Sequence, residues 1–320
     1  MKIIFMGTPE LARECLRALH EKEGVELSAV VTRPDQQKGR GMKLLFSPVK
    51  EYALAHGIPV YQPKTLRDGA FQSVLDELQP ELIAVAAYGN ILPPYVLEYP
   101  RYGCINAHGS LLPKYRGASP IQRAILDGER ETGITAMRMD SGIDTGELLK
   151  KYPCPIEEDD DYGSLSEKLA RLAGIALCEA VDALADGTAV FTPQSEEGSC
   201  YAAKIEKEDT VLDFSDSAVQ LRNRIRALSP EPGAVTKTPD GKLLKLTSSV
   251  VLPEASEEAP GTVVFLNPKG SGCMAVACGE GLLGVTGVVP EGKKPMTAGD
   301  FIRGRRISVG DRLGETKETE

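Results

Sequence analysis

Lys2-Ile3-Ile4-Phe5-Met6, Pro9-Glu10-Leu11-Ala12-Arg13-Glu14-Cys15-Leu16-Arg17-Ala18-Leu19-His20 and Val25-Glu26-Leu27-Ser28-Ala29-Val30-Val31-Thr32 read as strand, helix and strand. The first run is short, apolar and followed by a glycine. The second places Leu11, Cys15, Leu16 and Leu19 on one face of a helix. A strand–helix–strand unit of this length returns the chain in the same direction, which implies parallel pairing. The opening apolar run meets Pro9 and Glu10 too soon for a secretory h-region, so a buried first strand is expected.

The alternation continues downstream. Pro48–His56, Asp68–Leu78 and Ser119–Asp127 are expected helices; Ile58–Tyr61, Glu81–Ala87, Tyr102–Asn106 and Thr135–Met139 are expected strands. Glu81–Ala87 is almost wholly apolar, as a strand covered on both faces must be. Tyr162–Ala185 is a long helix by the spacing of Leu165, Leu169, Leu172, Ile175 and Ala176. This pattern predicts a doubly wound, Rossmann-like α/β domain with a mostly parallel sheet over 1–188. Its ligands are expected beyond the carboxyl ends of strands, where Asn106 would lie. Residues 189–205 lose periodicity and read as a linker. From 206 to 314 one helix near Ser217–Leu228 is followed by short strands. Turn signals at Pro239-Asp240-Gly241, Asn267-Pro268-Lys269-Gly270 and Pro290-Glu291-Gly292 suggest a smaller β-rich, OB-like barrel. The charged residues 315–320 are expected to be a disordered tail.

Composition narrows the function classes. The 320 residues carry a net charge of −9, concentrated before Ala203 (−8) rather than after it (−1). Such a balance opposes diffuse nucleic-acid affinity but leaves room for local basic clusters. No apolar run approaches the roughly 18 residues of a membrane span, so no membrane partner is expected. The seven cysteines are scattered without a C-x-x-C pair. Free thiols in a reducing cytoplasm are expected, with no metal site. Gly7-Thr8-Pro9-Glu10 has one glycine where a dinucleotide fingerprint needs three, so no nicotinamide cofactor is expected.

Chemistry concentrates in Asn106-Ala107-His108-Gly109-Ser110-Leu111-Leu112-Pro113-Lys114-Tyr115-Arg116-Gly117, which holds one of only three histidines. On a strand, Asn106 and His108 share a face. An amide donor beside an imidazole suits reactions in which a carbonyl oxygen gains negative charge. Asp140-Ser141-Gly142-Ile143-Asp144-Thr145-Gly146 adds two carboxylates among glycines. By residue type alone, His108 fits a structural hydrogen-bonded histidine equally well, and Asp140–Gly146 fits a plain turn. Arg33–Lys50 gathers Arg33, Lys38, Arg40, Lys43 and Lys50 against one acid, Asp35. It reads either as a solvated loop or as a site for a polyanion.

The run Asn106-x-His108-Gly-Ser-Leu-Leu-Pro-x-x-Arg-Gly, followed by Asp140-x-Gly-x-Asp144-Thr-Gly, resembles the folate-dependent formyltransferase family. Phe5–Pro9, Arg33-Pro34-Asp35, Ala87-Tyr88-Gly89-x-Ile91-Leu92-Pro93, Tyr201-Ala202-x-Lys204-Ile205 and Gly292-Lys293-Lys294 extend the likeness over nearly the whole chain. Within the family it is similar to the branch whose acceptor is the methionine of charged initiator tRNA. The resemblance implies transfer of a formyl group from 10-formyltetrahydrofolate to an amine, in a cytoplasmic monomer. It implies catalytic roles for Asn106, His108 and Asp144. It implies folate contacts from Ser110, Leu111, Leu112 and Pro113, with Tyr88, Ile91, Asp140 and Gly142 around the pterin. For tRNA it implies Arg40, Lys38, Lys43 and Lys204. Tyr115 stands where the family pattern carries an aromatic, often tryptophan. A sugar nucleotide or glycinamide ribonucleotide as acceptor, or water in a hydrolysis, uses the same catalytic set and stays open. A non-catalytic tRNA-binding module has no use for Asn106, His108 and Asp144 together.

Overall fold

The computed structural model describes residues 1–38, 43–304 and 306–314. The chain forms two compact units: Met1–Pro120, Glu131–Pro155 and Ser166–Ala203 in the first, Ile121–Arg130, Ile156–Leu165 and the chain from Lys204 onward in the second.

The first unit contains strands β1 (Lys2–Gly7), β2 (Glu26–Val31), β3 (Gln36–Lys38), β4 (Lys43–Leu45), β5 (Val60–Tyr61), β6 (Leu82–Ala86), β7 (Cys104–His108), β8 (Arg116–Gly117), β9 (Glu131–Arg138), β10 (Leu148–Pro155) and β11 (Tyr201–Ala202). The principal sheet has seven strands in the order β10-β9-β7-β6-β1-β2-β5. β5, β2, β1, β6 and β7 run parallel, while β9 is antiparallel to β7 and β10 to β9. The doubly wound, mostly parallel α/β architecture is therefore present. Helix α1 (Glu10–Glu21) buries Cys15, Leu16 and Leu19 of the predicted face together with Ala12, while Leu11 is half-buried. Helix α2 (Pro48–Ala55) starts at Ser47, whose hydroxyl accepts from the Lys50 N–H at 3.1 Å, with proline in the first turn. Helices α3 (Gln72–Leu78) and α4 (Pro94–Leu97) are short; α5 (Pro120–Leu126) falls almost wholly in the second unit, and α6 (Tyr162–Ala185) begins there and continues in the first.

Three differences from the sequence reading have identifiable physical causes. α3 begins at Gln72 rather than Asp68, because Gly69 is left-handed (φ 75°) and Asp68 caps a turn through the Ala70 N–H. β7 runs on to His108, since β9 pairs with it as far as His108↔Thr135. Asn106 thus lies within the strand rather than at its end. β10, which alternation did not reveal, carries Lys150, Lys151, Pro153 and Pro155; it is an edge strand, where lysine and proline are tolerated.

Lys50 ties both ends of the β3–β4 hairpin together. Its ammonium donates to Asp35 Oδ2 (2.6 Å) and Gln62 Oε1 (2.7 Å), and Gln62 Nε2 returns to Asp35 Oδ1 (2.8 Å). The Lys50 ammonium and the Gln62 amide together hold the Asp35 carboxyl below its usual range.

The second unit contains helix α7 (Ala218–Ala227), strands β12 (Ala234–Lys237), β13 (Leu243–Leu252), β14 (Val263–Asn267), β15 (Cys273–Ala277), β16 (Leu282–Pro290) and β17 (Met296–Thr297), and helix α8 (Ala298–Arg303). The sheet is antiparallel, in the order β12-β13-β16-β15-β14 with β17 on β16. This is the smaller β-rich, OB-like unit that the turn spacing predicts; among the described residues its strand order is an open path. Leu221 and Ile225 of α7 and Phe301 of α8 pack against Leu244, Leu246, Met274, Leu283 and Val285. Ser217 and Gln220 form a reciprocal capping box at α7. Ser217→Ala is expected to lower stability by about 1 kcal/mol, read as a lower midpoint in thermal unfolding. No helix among the described residues is long and apolar enough to cross a membrane.

Candidate active site

β7 is held on both sides, by β6 and β9, and presents Asn106 and His108 from one face. Both residues are buried. His108 Nε2 lies 2.8 Å from the Tyr115 carbonyl oxygen, and Nδ1 lies 3.5 Å from Asp144 Oδ2. A carbonyl only accepts, so Nε2 carries a hydrogen. Nδ1 is then the ring atom that faces the carboxylate. The Asn106 side-chain amide has no hydrogen-bond partner among the described residues, and its donors are free for a ligand.

Of the three groups expected to act together, His108 from the strand and Asp144 from the loop after β9 are brought into contact, and Asn106 lies two residues before His108 on β7. That loop is built around Asp140. Its carboxylate accepts from the Gly142 N–H (3.0 Å) and from the Thr145 hydroxyl (2.9 and 3.0 Å). A side chain at Gly142 would collide with Thr145 Oγ1, which explains the glycine. Asp144 itself is left-handed (φ 53°), as are Tyr115 (φ 61°) and Ala87 (φ 44°). Left-handed residues other than glycine are strained and need support from their surroundings. Asp144 receives it from the Gly117 N–H, which donates to Oδ2 at 2.9 Å.

Ser110–Pro113 forms a tight turn after β7. The Ser110 hydroxyl donates to the Lys114 carbonyl (2.6 Å), and Thr135 Oγ1 donates to the Ser110 carbonyl (2.6 Å) while accepting from the Leu112 N–H (3.1 Å). Leu112 is fully buried. Tyr88 is buried in the core cluster with Leu92, Val96 and Cys104. Ile91 and Ile143 are the exposed apolar side chains of the Tyr88–Leu92 and Asp140–Asp144 segments, 59% and 52% exposed. A cavity of about 260 Å³ opens beside the loop between Arg138 and Glu147 and reaches Pro193 and Gln194; Asn106 and His108 are not in its lining.

Four contributors escaped the sequence reading. The Tyr115 carbonyl and the Gly117 N–H are backbone groups, which residue identity does not announce. Gln194 and Cys200 lie in the aperiodic stretch after α6, which folds back as β11 against β8. Gln194 Nε2 donates to the Asp144 and Gly146 carbonyls, and the Tyr115 N–H donates to Cys200 Sγ at 3.2 Å. Of the residues expected to meet tRNA, Arg40 lies outside the described residues, as does the tail 315–320. Lys38 ends β3 and Lys43 begins β4. Lys204 opens the second unit, exposed and paired with Glu206 at 3.3 Å. Burial pushes the Cys104 thiol up to about 12 and the Cys278 thiol up to about 11, so neither supplies a thiolate near neutral pH. Among the described residues, no group of three or more His, Cys, Asp or Glu is placed to hold a metal ion.

Comparison with known proteins fits this geometry. The formyl transferase family model matches residues 1–181, and the formyl transferase C-terminal domain model matches 204–306. A methionyl-tRNA formyltransferase of Caldanaerobacter subterraneus is 47% identical, over 97% of this chain and 99% of its own length. One of Geobacter sulfurreducens is 43% identical over 100% of this chain and 99% of its own length. Among solved structures, an N-formyltransferase from Helicobacter canadensis shares the fold with a TM-score of 0.63 at 21% identity, covering 89% of this chain and 99% of its own. With both models matched and full-length relatives at this identity, the chain belongs to the formyl transferase family.

Proposed function

We propose that the chain transfers the formyl group of 10-formyltetrahydrofolate to the α-amino group of methionyl initiator tRNA. The observation that carries this reading is end-to-end similarity, through both units, to proteins named for that reaction. The clustering of Asn106, His108 and Asp144 agrees with it.

The residues suit each step. The methionine amine attacks the formyl carbon, and the carbonyl oxygen becomes an oxyanion. The unpartnered Asn106 amide donates to that oxygen, and as an amide it remains a donor at every working pH. The nitrogen that attacks must lose a proton, and N10 of the departing folate must gain one. Asp144 takes the proton from the amine, and the His108 ring, facing it through Nδ1, relays it and stabilises the oxyanion. The Ser110–Pro113 turn, with Tyr88, Ile91, Asp140 and Gly142, forms the folate side of the site, and the exposed Ile91 and Ile143 offer apolar surface to a flat heterocycle. Arg40, Lys38, Lys43 and Lys204 contact the tRNA. In this reading the first unit, which takes in the stretch to Ala203 that the sequence presents as part of a linker, carries the chemistry, and 206–314 hold tRNA, in a cytoplasmic monomer.

The test is direct. Protein, 10-formyltetrahydrofolate and methionyl-tRNA are mixed, and formyl-methionyl-tRNA and free formate are followed. Transfer to the aminoacyl-tRNA is expected; formate release alone, or formylation of a sugar nucleotide or glycinamide ribonucleotide in its place, rejects the reading. Arg40→Ala is expected to reduce kcat/KM for charged tRNA about tenfold and to lower the salt slope by about 1. Wild-type kinetics at physiological salt would remove Arg40 from the tRNA contacts.

A further inference from the structure

We infer that Gln194 is a positioning residue for formyl transfer, acting through the backbone of the Asp144 loop. The inference rests on the functional reading above for its kinetic arm, and on geometry alone for its spectroscopic one.

Asp144 stands in a strained backbone conformation, on a segment with no strand or helix of its own. Besides the Gly117 N–H, which holds the carboxylate, one side-chain amide holds the loop backbone from outside. Gln194 Nε2 donates to the Asp144 carbonyl at 2.8 Å and to the Gly146 carbonyl at 2.7 Å. Both hydrogens of the amide are used, so its plane is fixed. Its oxygen accepts from Arg116 Nε at 3.1 Å, and the Arg116 guanidinium also pairs with Glu196 at 3.2 Å. Arg116 lies beside Tyr115, whose carbonyl faces the other nitrogen of His108. The Arg116 N–H in turn donates to the Cys200 carbonyl at 2.9 Å. The segment from Gln194 to Ala202 is therefore a strap that fastens both partners of the imidazole, the carboxylate through Gln194 and the carbonyl through β8–β11 pairing. The amide nitrogen and oxygen of Gln194 are both taken by protein partners. Its effect passes through the position of the Asp144 carboxylate, and displacements near 1 Å at such groups are costly to rate.

Two measurements test this. First, single-turnover transfer is compared for wild type, Gln194→Ala, Asp144→Ala and the double variant. Gln194→Ala is expected to lower the rate at least tenfold with both KM values within twofold. In the Asp144→Ala background the same change is expected to cost less than twofold, because a residue acting through Asp144 has nothing left to position. An undiminished cost in that background, or a wild-type rate in Gln194→Ala, overturns the inference. Second, ring ¹⁵N shifts are recorded for His108, which is simple to assign among three histidines. Gln194→Ala is expected to move the Nδ1 resonance in the direction that Asp144→Ala moves it. An unmoved Nδ1 resonance overturns the inference whatever the substrate is. Absence of transfer in the wild type, with the shift observed, rejects the functional reading and leaves the positioning role standing.

Discussion

Asn106→Ala is expected to lower kcat by about 10²- to 10³-fold, the usual cost of removing one oxyanion donor, while the affinity for charged tRNA stays within twofold. The expectation follows from the unusual state of this side chain. Asn106 is buried on a strand that is paired on both sides, yet its amide serves no other group among the described residues. Its removal breaks no hydrogen bond of the fold, so thermal stability is expected to change little. Asn106→Asp is the sharper control. It keeps size and shape but sets a negative charge against a developing oxyanion, and its loss is expected to be at least as large. Retention of more than a tenth of wild-type kcat by either variant would mean that the oxyanion is held elsewhere. His108→Ala is expected to be as damaging but less specific, since it also abandons the Tyr115 carbonyl.

Gly146→Ala is expected to combine a stability loss of about 1–3 kcal/mol with a fall in kcat of about 10²-fold. A Cβ at this position would run into the Arg138 carbonyl oxygen and press on the Met137 methyl group. The carbonyl belongs to the backbone at the end of β9 and cannot turn aside, so the loop must move. The Gly146 carbonyl is also one of the two that Gln194 grips, and the Asp144 carboxylate lies two residues away. Denaturant unfolding gives the stability term and single-turnover kinetics the rate term. Wild-type kcat in a protein shown to carry the substitution would mean that the loop tolerates displacement, and that Asp144 acts without a fixed position.

The fold was legible where periodicity carries the information. β1, α1 and β2 followed from an apolar strand, a one-faced helix and a β-branched strand, and the long helix α6 from its leucine spacing. β10 was hidden because edge position permits the lysines and prolines that composition counts against a strand. The extension of β7 to His108 was hidden because pairing with β9, far along the chain, decides where the strand ends. The site was legible to the extent that it depends on side-chain chemistry. Asn106, His108 and Asp144 are the right types to act together; His108 and Asp144 meet at 3.5 Å, and Asn106 stands two residues before His108 on the same strand. What supports them was not legible. The Tyr115 carbonyl and the Gly117 N–H exist at every residue, and only the turn after Pro113 aims them. Gln194 sits in an aperiodic stretch whose partners lie 48 and 50 residues earlier.

The placement of β7 between β6 and β9 divides the site in time as well as space. Amides of a strand paired on both edges exchange with solvent only when the sheet opens, so the Asn106 and His108 side chains ride on slowly exchanging backbone. The carboxylate rides on a loop fastened by a few hydrogen bonds, of a kind that rearranges in nanoseconds to microseconds. Deuterium uptake along β7 is therefore expected to be slower by orders of magnitude than along the Asp140–Gly146 loop.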